Sequence, residues 1–223
     1  MTVEEAIAAR HSVRAYGDKK IEGETLEALR KEIADVNEES GLNVQLVVNE
    51  EKAFGGAMAK YGNFKNVKNY IALVGKKGED LSETAGYYGE RIVLFAQTLG
   101  LNTCWVGLSY SKKHTLCKID KGEKLVCVLA IGYGVTQGVP HKSKPIEKVS
   151  KVVGNETAPD WFEKGVKAAL LAPTAMNQQK FRIVLDGNEV KFLPGTGFYT
   201  KVDLGIARYH FAVASKYFND HII

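Results

Sequence analysis

The sequence predicts an α+β fold, and three observations carry the prediction. Apolar residues recur at three- and four-residue spacing over segments of helical length. Short runs rich in Val, Ile and Leu stand between turn formers. After a stretch without periodicity, the same succession of helix and strand begins again. The chain has 223 residues, enough to bury a sizeable core, and its 45% hydrophobic and 25% charged residues describe a globular rather than a disordered protein.

Residues 3 to 9 (VEEAIAA) form a short amphipathic helix leading into ARHSVRAY. GETLEALRKEIADVNEES (23 to 40) is a longer helix with Leu26, Leu29, Ile33 and Val36 on one face, closed by Gly41. VQLVV (44 to 48) and NYIALVG (69 to 75) read as strands. GYYGERIVLFAQTLGL (86 to 101) is apolar on two faces, which marks a central core helix. TCWVG (103 to 107) and KLVCVLAIGYG (124 to 134) are further strands. Residues 136 to 160 carry Gly, Pro, Lys and Ser without strong periodicity and are expected to be a surface linker.

Beyond it come a helix over 161 to 172, strands FRIVL (181 to 185) and EVKFL (189 to 193), and a helix over 204 to 217. WFEKGVKAALLAP and FRIVL take the places of LEALRKEIADVNE and QLVV, and Gly205 with Phe211-Ala212 repeats the spacing of Gly89 with Phe95-Ala96. A degenerate internal duplication is therefore expected: a first subdomain over 1–135, a linker over 136–160 and a second subdomain over 161–223.

Several function classes lose support at once. The formal charge of +4 is mild and its lysines and arginines are interspersed with acids, so nucleic acid is not an expected partner. The acidic opening Met1-Thr-Val-Glu-Glu is no signal peptide and no run approaches about 18 apolar residues, so a cytoplasmic protein without a membrane partner is expected. Cys104, Cys117 and Cys127 have no CxxC pairing, and the five His include no HExxH, so neither a disulfide framework nor a metal site is expected. GYGVTQG (132 to 138) misplaces its third glycine for a dinucleotide fingerprint and is followed by Pro140. GLSYS (107 to 111) lacks the second glycine of a nucleophile elbow.

Three segments suit a phosphorylated, planar cofactor. In RHSVR, an extended backbone turns Arg10, Ser12 and Arg14 to one side, and a helical turn still aligns the arginines. Guanidiniums give forked, charge-assisted bonds to phosphate and the hydroxyl adds a donor. HKSKP (141 to 145) offers Lys142 and Lys144. APTAMNQQ (172 to 179) is a helix end broken by Pro173, with amides suited to the edge of a heterocycle. Singly, these are salt-bridge partners, a solvated loop and a helix cap; their co-occurrence favours the cofactor.

On these residues the chain resembles the FMN-dependent nitroreductases. That family opens with R-x-S-x-R/K, as Arg10 to Arg14 does, and carries A-P-S-x-x-N-x-Q, matched from Ala172 to Asn177 with its Gln at 178 or 179. It also has a helix ending in G-L before a strand like TCWVG, and a strand ending in G-Y before a basic loop. The resemblance implies a central antiparallel or mixed sheet flanked by helices, with two half-related subdomains in one chain.

It also implies FMN as cofactor. Arg10, His11 and Ser12 would hold its phosphate with Lys142 or Lys144, and Arg14 would reach the N1 and C2-carbonyl side of the ring. Backbone N–H groups of Trp105, Val106 and Gly107 would line the N5 edge, and Thr174, Ala175 and Asn177 would close the site. No side chain is expected to act as acid or nucleophile. NADH or NADPH would supply hydride, which passes to a small-molecule nitro, quinone or flavin-like acceptor; Tyr61 and Phe64 would either wall the substrate side or pack in the core.

One departure shapes the expected assembly. The A-P-S-x-x-N segment normally follows soon after R-x-S-x-R, whereas here ADVNEESGLN holds that place and the motif comes after the linker. Family homodimers bind each flavin between subunits, so the split implies a monomeric pseudo-dimer with one flavin; a homodimer is the other arrangement. The alternatives in function are a flavin-binding module without efficient turnover and, remotely, a nucleotide- or RNA-binding protein.

Overall fold

The computed structural model describes residues 1–154 and 157–217. Its helices are α1 Val3–Ala9, α2 Gly23–Ser40, α3 Ala57–Tyr61, α4 Leu81–Thr98, α5 Asp160–Ala169 and α6 Thr200–Ser215. Its strands are β1 Gln45–Val47, β2 Tyr70–Lys76, β3 Asn102–Val106, β4 Glu123–Gly132, β5 Ser150–Val152, β6 Phe181–Asp186 and β7 Glu189–Pro194. The chain divides into two units. One comprises Ala9–Leu81 and Ile92–Pro140 and holds the sheet β1-β2-β4-β3. The other comprises Met1–Ala8, Ser82–Arg91 and His141–Ile223 and holds the sheet β5-β6-β7.

Within the four-stranded sheet the strands pair antiparallel, with Tyr70 and Cys104 both opposite Ala130 from the two sides of β4. β2 is buried from Tyr70 to Gly75, which explains an unbroken apolar run instead of an alternating one. Helix α2 buries Leu29, Ile33 and Val36 and stops at Gly41, which takes φ 65° and donates its N–H to Asn37 O. The core gathers Val13, Tyr16, Phe54, Phe64, Tyr70 and Val128. Cys104 and Cys127 are buried, whereas Cys117 is only half-buried; all three are free thiols.

In the three-stranded unit, β5 runs parallel to β6, and β6 turns back into β7 through a two-residue connection where Gly187 takes φ 58°. Along β6, Phe181, Ile183 and Leu185 are buried while Arg182 and Asp186 are exposed, the period-two pattern of a half-covered sheet. Helices α5 and α6 pack around Phe162 and Phe211, whose ring centroids lie 5.8 Å apart. Gly165 admits the Phe211 ring: a Cβ there would sit 2.5 Å from Cε2. Helix α4 lends this unit Ser82–Arg91, and its backbone at Gly86 meets Val202 O of α6 with no room for a Cβ.

Candidate functional site

In the four-stranded unit, the ARHSVRAY segment is an extended strip strapped to the sheet. β3 is an edge strand, and its free side pairs with the strip through a parallel bridge from Ser12 to Thr103 and a 3.0 Å bond from Val13 N to Thr103 O. Further along, Lys65 N donates to Arg14 O at 2.9 Å, Tyr16 N to Lys65 O at 3.1 Å, and Gly17 N to Tyr133 O at 2.8 Å. Val13 and Tyr16 point into the core, and the Tyr16 hydroxyl donates to Val13 O at 2.7 Å. Burial pushes the Tyr16 phenol well above its ordinary range, so it remains a donor.

Of the two geometries the sequence allows, the extended one is present, with Arg10, Ser12 and Arg14 at alternate positions along it. Beside the strip, burial pushes the Cys104 thiol up, while Arg14, a Ser12 hydrogen bond and Arg10 each pull it down. Arg10 is buried and Arg14 exposed, so this cationic strip runs from interior to surface. Immediately after Cys104 on β3, Trp105 is half-buried and Val106 buried, in register with Leu129 and Val128. Gly107 follows the strand.

The glycines of GYGVTQG have a packing role. Gly134 N–H donates to Asn102 Oδ1 at 3.0 Å, and a Cβ on Gly134 would lie 2.8 Å from Val13 Cγ1. Gly138, at φ 76°, would carry a Cβ 2.7 Å from His11 Cβ. The loop after β4 lies directly against the cationic strip, an approach only glycine permits.

In the three-stranded unit, the structure brings Lys142, Lys144, Thr174, Ala175 and Asn177 into one hydrogen-bonded cluster. Lys142 O accepts Asn177 Nδ2 and Gln179 Nε2, each at 2.9 Å. Lys144 Nζ donates to the carbonyls of Gln178 at 2.7 Å and Gln179 at 3.0 Å, so its ammonium holds the turn. Thr174 Oγ1 accepts Gln179 N at 3.0 Å. Sequence reasoning missed Asp203, whose carboxylate accepts Ala175 N at 2.9 Å and Gln178 Nε2 at 2.7 Å. Burial raises that carboxyl to about 6 against the pull of these two bonds.

The two aromatics expected at a substrate wall part company. Tyr61 ends α3 with 83% of its surface exposed. Phe64 is buried, edge-to-face with Phe54 at 5.2 Å, and serves the core. Among the described residues no group of three or more His, Cys, Asp or Glu is placed to hold a metal. No described helix is long and apolar enough to cross a membrane.

A family model described as "Putative TM nitroreductase" matches residues 2–215. The chain belongs to this nitroreductase family. Solved structures share its fold. A putative nitroreductase of Thermotoga maritima MSB8 is 24% identical with a TM-score of 0.67, the match covering 96% of this chain and 83% of that one. A putative nitroreductase of Desulfovibrio desulfuricans, in complex with FMN, is 17% identical with a TM-score of 0.55 over 71% of this chain and 99% of its own. One from Exiguobacterium sibiricum 255-15, also in complex with FMN, is 16% identical with a TM-score of 0.52 over 66% and 95%. No curated protein matches the sequence. In this nitroreductase-family chain, both segments of the family's pattern are built as hydrogen-bonded structures, the first as a strip on β3 and the second as the Thr174–Gln179 turn.

Proposed function

We propose that the chain is an FMN-dependent oxidoreductase that passes hydride from NADH or NADPH to a nitro, quinone or flavin-like acceptor. The observation that carries this reading is the extended strip beside β3, which sets Arg10, Ser12 and Arg14 at alternate positions. Two guanidiniums and a hydroxyl form a donor set for a phosphate and for the anionic side of a reduced ring. Family membership, and the FMN in complex with two proteins of the same fold, support it.

When bound, the flavin supplies the two-electron chemistry itself. What remains for the protein is binding, orientation and electrostatics. Arg10 and Ser12, with His11, would hold the phosphate. Arg14 would reach the N1 and C2-carbonyl side, where its fixed charge would favour the negative charge left by reduction. Backbone donors at Trp105, Val106 and Gly107 would orient the N5 edge. In the three-stranded unit, taken by itself, Thr174, Ala175 and Asn177 are the candidate flavin contacts.

Flavin absorbance of the purified protein, and its bleaching by NADH or NADPH under argon, test this reading. Arg10→Ala with Arg14→Ala is expected to abolish flavin retention in a folded chain. Unchanged flavin content in that variant overturns the site. Flavin retained but never bleached identifies a binding module without turnover.

A further inference from the structure

The Thr174–Gln179 turn is held in a conformation that its own residues disfavour. Met176, Asn177 and Gln179 take φ of 51°, 53° and 44°, left-handed values at three non-glycine positions. Each costs on the order of 1 kcal/mol or more, Asn least, and such strain persists only where surrounding structure over-determines it. Several of the bonds that do so are described above; two of them end on Asp203, in the first turn of α6 and 2% exposed. An acid at that place ordinarily complements the amino end of its own helix. Here both carboxylate oxygens serve another segment, Oδ1 the backbone of Ala175 and Oδ2 the amide of Gln178. Gln178 in turn reaches Phe198 O at 3.1 Å, so one carboxylate and one amide fix the turn against the loop that precedes α6.

We propose that Asp203 is the positioning residue of the flavin-contacting turn: its ionised carboxylate, by accepting from Ala175 and Gln178, holds Thr174 to Gln179 in the left-handed geometry that flavin binding requires. The proposal rests on the flavin reading above. Protonation would place a hydrogen on one of two oxygens that each face a donor, so acid must release one of the two grips. With the carboxyl raised to about 6 by burial, that release falls close to neutrality. The titratable and charged groups on the elements around it include Glu83 and Arg208, paired with each other, His210 paired with Glu90, His141 against Leu170 O, Lys144 on the turn's carbonyls, Lys180 on Thr196 O, and Lys142 and Lys201.

The experiment compares the full-length wild type with Asp203→Asn from pH 4.5 to 8. In the flavin-free protein, the Ala175 amide resonance is expected to titrate with a midpoint near 6 in the wild type and to stay flat in the variant. FMN affinity is expected to be at least tenfold weaker in Asp203→Asn at pH 7.5, with the gap closing towards pH 5. The ratio is the proper readout because the flavin phosphate itself titrates near pH 6. Gln178→Ala, which spares the carboxylate, is expected to weaken FMN binding in the same direction. An Ala175 amide that does not titrate, or an affinity ratio near one at all pH values, overturns the proposal. A wild type that binds no FMN while Ala175 still titrates overturns the flavin reading and leaves Asp203 as a structural clamp.

Discussion

His210 Nε2 lies 2.8 Å from Glu90 Oε1, with both side chains fully buried, and His210 Nδ1 lies 3.1 Å from Ala168 O. A carbonyl only accepts, so Nδ1 carries a hydrogen and a single proton is shared between Nε2 and Oε1. His210→Ala is expected to cost about 3–5 kcal/mol, because it removes one partner of a buried ionisable pair. Glu90→Gln keeps a donor for Nε2 and is expected to cost about 1 kcal/mol. Urea denaturation of the two variants checks this; equal losses would show that Nε2 needs an ionised partner.

Gly86 and Gly205 let α4 and α6 touch backbone to backbone. A Cβ on Gly86 would run into Val202 O, and one on Gly205 into Glu83 O and, at 2.7 Å, Tyr87 N. Backbone cannot step aside as a side-chain end can, so Gly86→Ala or Gly205→Ala is expected to cost about 2–3 kcal/mol despite the better helix propensity of Ala. The thermal midpoint of each variant is the measurement. A gain in stability would mean that the helices separate freely.

The same contact explains what the sequence hides. Gly86 looks like the start of the core helix, yet α4 begins at Leu81, since the glycine answers a contact from a segment more than a hundred residues away. Likewise α6 starts at Thr200, ahead of the apparent start at Leu204; Tyr199 in front of it makes no side-chain cap, so no capping residue marks the start in the sequence. α3 and the three residues of β5 are too short to show a period. The strip from Arg10 to Arg14 is legible because alternation in an extended segment is a local property. Asp203 is illegible for the opposite reason: its partner Ala175 lies 28 positions back, and an acid in a helix's first turn has an ordinary local use.

Gly138→Ala tests the contact between the loop after β4 and the cationic strip. The substitution adds a Cβ at φ 76°, 2.7 Å from His11 Cβ and 3.2 Å from Ser12 O. The loop is at the edge of its unit, so displacement of the strip is expected to exceed any global loss. FMN affinity should fall about tenfold or more, while the thermal midpoint drops by only a few degrees, a cost on the order of 1 kcal/mol. A large fall in the midpoint with flavin affinity preserved would place the loop's importance in folding instead.

Asp203 also predicts a trade between stability and function. Its carboxyl sits at about 6 in the folded chain against the ordinary 3.8 of an unfolded one, so the folded form holds a proton that the unfolded form has given up between those values. Stability from this group is therefore fully present below about pH 4, falls as pH rises through 6, and stays lower above it. The difference has an upper bound of roughly 3 kcal/mol, at about 1.4 kcal/mol per pKa unit. Asp203→Asn removes the charge that burial disfavours, so its thermal midpoint at pH 7.5 should exceed that of the wild type, with the advantage shrinking towards pH 4. The gain falls short of the bound because the Asn amide meets the Gln178 donor less well than a carboxylate does. A more stable chain that binds flavin worse is the pattern of a residue kept for its site. A variant less stable than the wild type at pH 7.5 and unchanged at pH 4 would show instead that the carboxylate's two bonds outweigh its burial.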